Sequence, residues 1–186
     1  MANIEHVETL DSLDKVSVIT YRLGITLFSF TLFLSSLAIA DDIALVLIDG
    51  SLKEFAFISL ALSAAMSAAN LHVYDKKIRM IITWSAWIGL VLLILLDDSH
   101  FFWLPVGFLF ITFSGIALKE SFCFKVIGLK LIPFLLCIAT LMLAMEVWLI
   151  TLICLTLAGV IFLFLAIQKW KMPLHFDIGN KANYQN

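Results

Sequence analysis

The stretch Lys119-Glu120-Ser121-Phe122-Cys123-Phe124 sets an ammonium, a carboxylate and a thiol between two long apolar runs. On a continuing helix Lys119 and Cys123 are one turn apart on one face, and Glu120 stands three residues before Cys123. A nearby ammonium lowers the pKa of a thiol and makes it more nucleophilic. His72 and Tyr74 close an earlier apolar run, and His175 and Asp177 lie in the C-terminal tail. His72, Cys123, His175 and Asp177 together have the N, S and O ligands that a zinc site uses. No CxxC or HxxxH spacing supports such a set, and three segments would have to converge. Each feature also has a plainer reading, and the plainer readings are preferred. Lys119 and Glu120 read as a solvated ion pair at a helix end. Cys123 reads as an inert thiol between two phenylalanines, His72 as a side chain at headgroup level, and the tail as a plug docked over the bundle. His72, Tyr74, Lys119, Glu120, Cys123, His175 and Asp177 are therefore candidate binding positions on one face. No catalytic residue, metal site or cofactor is assigned.

The elements that must position these residues follow from composition. The 186 residues are 62% hydrophobic and 14% charged, with a mean hydropathy of +1.06. Soluble domains are about 45–50% apolar and about 25% charged, so both deviations point to an integral membrane protein. A net charge of −2 gives no reason to expect a nucleic-acid partner. The cysteines at 123, 137 and 154 form no disulfide framework. Six apolar runs are long enough to cross about 30 Å of hydrocarbon; they lie near 22–40, 55–73, 79–96, 101–118, 126–145 and 147–167. The expected fold is all-α: an integral membrane bundle of six transmembrane helices over 21–167. A cytoplasmic segment 1–20 precedes it and a cytoplasmic tail 168–186 follows. Residues 1–14 carry acids and no Lys or Arg, unlike a signal peptide, so the first span is expected to stay uncleaved despite the small residues of Ala38-Ile39-Ala40.

Charge sets the orientation. With both termini in the cytoplasm, every Lys and Arg except Lys53 falls on the inner side, while the outer loops are acidic. Several local features are expected too. Asp11, Ser12 or Asp14 caps the first helix, and residues 1–14 form either a weak amphipathic helix or a tail. Ile43–Ile48 extends the first helix or dips into the interface. The second run, rich in Ala and Ser, packs closely against neighbours rather than lining a pore. Gly128 and Pro133 kink the fifth. No ionisable residue lies near the centre of any span, which disfavours a proton-coupled transporter. Mid-span hydroxyls are expected to bond their own helix.

Gly115-Ile-Ala117-Leu-Lys119-Glu120-Ser-Phe122-Cys123-Phe124 resembles the G-x-A-x-K-E-x-F-C-F signature of a bacterial family of uncharacterised integral membrane proteins, a domain of unknown function. The tail from Lys171 to Lys181 resembles that family's closing D-I-G-D-K-S motif, with Asn180 and Ala182 where Asp and Ser are usual. His72 and Tyr74 fit an H-x-Y before its basic loop. The resemblance implies a fold and a bacterial inner-membrane setting, and no mechanism. The sequence points away from an enzyme. It suggests a scaffold, or a binding protein for a partner or ligand at the cytoplasmic face, with the lipid bilayer and a membrane protein or a second copy as partners. A passive channel and an inner-face thiol or metal enzyme are the alternatives.

Overall fold

The computed structural model describes residues 9–45, 52–96, 99–124 and 126–184. Its elements are α1 (Ser12–Asp42), α2 (Leu52–Ala69), α3 (Lys76–Leu95), α4 (Trp103–Ser121), α5 (Ile132–Ala144), α6 (Trp148–Lys171) and a short α7 (His175–Ile178), with single 3-10 turns before α5 and after α7. No strand occurs among the described residues. The helices run up and down, and neighbours in sequence pack side by side until α6 closes the ring against α1. The aromatic centre joins opposite sides of the ring. Phe28 of α1 stacks on Phe113 of α4, and Phe162 of α6 meets Phe28 edge-on. Outward faces are apolar, as with Ile81, Ile94 and Leu95 of α3. Hydrocarbon solvates such a surface without the cost it would carry in water.

Two boundaries differ from the sequence expectation. The first helix begins ten residues early, at Ser12. Asp11 caps it: its side chain accepts from the Asp14 N–H, while the Asp14 carboxylate accepts from the Asp11 N–H. This reciprocal pairing satisfies N–H groups that a bare helix end leaves orphaned. Residues 12–14 therefore belong to α1, and the expectations for 1–8 and for 46–48 fall outside the described residues. Ile43 is the C-cap of α1 rather than its continuation.

The fifth run is the larger correction. Among the described residues, five helices are long and apolar enough to cross a membrane, and the segment 129–144 is shorter. Gly128 takes a left-handed conformation with φ of 94°, and a 3-10 turn follows before α5 starts at Ile132. Only glycine adopts that backbone without a Cβ penalty. Pro133 sits in the first turn of α5, where its missing N–H leaves no bond broken. The expected kink is thus a helix start.

Small residues act as expected in α2. Ser63, Ala64, Ser67 and Ala68 are buried, and a Cβ added at Gly24 of α1 would come within 2.4 Å of the Ser67 hydroxyl. Thr140, Thr151 and Thr156 each donate to the carbonyl one turn back. Two hydroxyls also reach across helices: Thr156 lies 3.1 Å from the Ser36 hydroxyl, and Thr112 lies 2.9 Å from Ser85.

Candidate functional site

The starts of α1 and α3 meet the ends of α2, α4 and α6 at one end of the bundle, and there the ionisable groups converge. Tyr21 and Arg22 come from α1, Lys119 and Glu120 from α4, Lys169 from α6 and Asp177 from α7. All but Lys119 are buried. Glu120 is the inner hub. Its Oε1 accepts from the Tyr21 hydroxyl at 2.8 Å and lies 3.2 Å from Lys119 Nζ, and its Oε2 accepts from Lys169 Nζ at 2.9 Å. Asp177 is the outer hub. Its Oδ2 accepts from Arg22 Nε at 2.7 Å, and its Oδ1 accepts from Lys169. Lys169 thus bridges the two carboxylates.

The remaining guanidinium donors fix the chain entering α7. Arg22 Nη1 donates to the Met172 carbonyl at 2.8 Å and Nη2 to the Pro173 carbonyl at 3.0 Å. These carbonyls follow the end of α6, where helical partners run out. The planar fork of arginine satisfies a carboxylate and two carbonyls at once, which a lysine lacks the geometry to do. Aromatic faces complete the shell: Lys119 lies 4.7 Å from the Tyr21 ring centroid, and Lys169 lies 5.3 Å from that of Phe124.

The tail is held beyond α7 as well. Tyr74, after α2, accepts from the Asn180 N–H at 2.9 Å, and Tyr184 donates to the Ile178 carbonyl at 2.8 Å. Gly179 makes the turn with φ of 66°, and a Cβ there would lie 1.9 Å from the Tyr74 hydroxyl. Replacing Gly179 with Ala should therefore cost roughly 1–3 kcal/mol in backbone strain alone, with the clash added. The melting temperature of Gly179→Ala is expected to fall below wild type, and adding Tyr74→Phe should restore part of the loss. A Gly179→Ala protein as stable as wild type would contradict this geometry.

The sequence-derived candidates divide. Glu120 and Asp177 are hubs, Lys119 joins them, and Tyr74 holds the tail. Lys119 and Glu120 are not the solvated pair expected from their place at a helix end: Glu120 is 1% exposed, because α1, α6 and the tail close over it. His72 meets Tyr21 of the cluster in an edge-to-face arrangement, with ring centroids 6.5 Å apart. His175 stacks on Phe176. Among the described residues no three His, Cys, Asp or Glu come together as a metal set.

Cys123 reverses the expectation of an activated thiol. Although the residue is exposed, partial desolvation of its thiol and the Glu120 carboxylate raise its pKa above the ordinary value, outweighing Lys119 and Lys169. Those cations already face carboxylates. Its alkylation rate should accordingly reach half-maximum at a higher pH than that of a free cysteine, about 8.5, and Glu120→Gln should move that midpoint down. A midpoint below that of free cysteine would overturn the assignment.

Arg22, Lys169 and Tyr21 escaped the sequence reading. Arg22 and Lys169 were counted only as inner-side charges. The signal was a charge imbalance: Glu120 and Asp177 are carboxylates next to apolar segments on the basic side, and each needs a buried cation.

Residues 66–185 match the family described as "Uncharacterized integral membrane protein (DUF2301)". The chain belongs to this family. The match takes in α3 to α7 and most of the ion network, though not Tyr21 and Arg22. An "Uncharacterized protein" of Haemophilus influenzae is 33% identical over 187 residues, covering 97% of each chain. No solved structure matches the chain. The protein is thus an integral membrane protein of an uncharacterised family, with an uncharacterised bacterial relative.

Proposed function

We propose that this is a six-span protein of the bacterial inner membrane, with both termini in the cytoplasm, that works without catalysis. Its cytoplasmic face, closed by the latched tail, binds a partner protein or a small ligand. The charge pattern supports the orientation, since the network end carries the basic loops and the opposite end the acidic ones. The sixth crossing is supported by the 3-10 turn and α5 together. They extend about 25 Å, and a modest shortfall against the bilayer is met by local thinning.

The observation that carries the non-catalytic reading is the commitment of the reactive groups. Both buried carboxylates are engaged by cations, and the thiol beside them has a raised pKa. A general base or nucleophile needs a free lone pair within reach of substrate. What the network supplies instead is a fixed surface. Phe122 stands exposed just past the end of α4, at 76%. A channel finds less support. The cavity at the opposite end stops at Phe110, which packs against Phe28, and the ion network seals the other end.

A photo-crosslinking residue at Phe122 or Phe176 should give a discrete adduct in cells, and one at Ile94 on the lipid face should not. Absent or diffuse adducts from both inner positions would sink this reading. Reporter fusions at Ser99 and at the C-terminus test the orientation, with opposite compartments expected.

A further inference from the structure

The end of the bundle opposite the ion network holds a cavity of about 840 Å3 between α1, α2, α4, α5 and α6. Small-molecule sites run to about 300–1,000 Å3. The cavity follows α1 from Asp42 at its mouth to Thr31. That is about 16 Å of helix, or half the hydrocarbon thickness.

Its wall is apolar: Leu32, Ile39, Leu60, Val106 and Leu155 line it, and Phe110 stands at its depth. Thr31, Ser35, Trp148 and Thr151 also line it, and the Thr31 and Thr151 hydroxyls donate to the Leu27 and Val147 carbonyls of their own helices. Neither threonine has its proton left for a solute. Its mouth is charged: Asp42, Lys53 and Glu54 meet there, with Lys53 Nζ 2.7 Å from Asp42. Two carboxylates against one ammonium leave the mouth net negative. A long, mainly apolar slot with a charged rim suits an amphiphile, and the sign of the rim repels an anionic headgroup. An ammonium would face the carboxylates, and a phosphate beside it would face Lys53.

We propose that this cavity binds an acyl chain of a zwitterionic aminophospholipid or its single-chain form, with the headgroup at Asp42, Lys53 and Glu54. The site is independent of the reading of the cytoplasmic face. Native mass spectrometry of the full chain in detergent tests it, with twelve-carbon lysophosphatidylethanolamine, the diacyl lipid and lysophosphatidylglycerol as probes. One saturable molecule is expected, bound at least tenfold more tightly as the ethanolamine form than as the glycerol form. Saturation by the diacyl lipid as well would identify bilayer lipid as the source; saturation by the single-chain form alone would identify a free lysolipid. Ala139→Phe, which places a ring in the cavity, should weaken binding at least tenfold. The exposed Lys53→Glu, which leaves the fold's interior untouched, should weaken it severalfold. A non-saturating distribution would mean an adventitious additive only and overturn the proposal. Equal or tighter binding of the glycerol form would do the same, as would wild-type affinity in Lys53→Glu together with any folded Ala139→Phe.

Discussion

Asp177→Ala is expected to lose about 3–5 kcal/mol of stability, the usual cost of removing one partner from a buried ion pair. Asp177 answers both Arg22 and Lys169, and its loss strands two cations that are about 2% exposed. Lys169 keeps Glu120, while Arg22 keeps only the Met172 and Pro173 carbonyls. The tail should therefore come away before the bundle does. The melting temperature in mild detergent should drop, and limited proteolysis should cut after Lys171 in the variant and spare the wild type. Asp177→Asn should recover part of the loss, because the amide oxygen still accepts from Arg22. An Asp177→Ala protein with the wild-type melting point and an intact tail would show that the network does not hold the latch.

Glu120→Ala should be comparably costly, about 3–5 kcal/mol, with a different pattern. It removes the acceptor of Tyr21 and Lys169 and the counter-charge of Lys119. Arg22 and Lys169 would then share Asp177, and Lys119 would lose its carboxylate. The Arg22–Asp177 pair survives, so the tail should stay protected while α4 loosens from α1 and α6. Hydrogen exchange should rise at the C-terminal turns of α4 and much less in residues 175–184. Equal release of the tail in both variants would mean that the two hubs are one unit. The buried charges themselves add little net stability compared with well-packed apolar residues. Their effect on the fold is to fix where the tail sits.

The bundle was largely legible in the sequence, because continuous apolar runs must be helices in lipid. Small residues marked the close packing of α2, and Asp11 was among the expected caps. The fifth helix was misread in length, since hydropathy does not register the left-handed Gly128 that ends the loop. The candidate site was half legible. Lys119, Glu120 and Asp177 stood out as charges beside apolar runs. Their partners did not, because Arg22 and Lys169 lie 155 and 8 residues from Asp177 and belong to different helices. The basic-side rule accounts for those two cations so readily that no further role suggested itself. Burial changes their meaning, and burial depends on how the helix ends meet.

Hydrogen exchange of residues 175–184 in the intact protein, reconstituted in nanodiscs, tests the latch most directly. The ion network predicts slow exchange at Asp177, Gly179 and Asn180 in the wild type, abolished in Asp177→Ala and retained in Lys171→Ala. Rapid exchange of these amides in the wild type would contradict it, and with it the fixed surface at this end of the bundle.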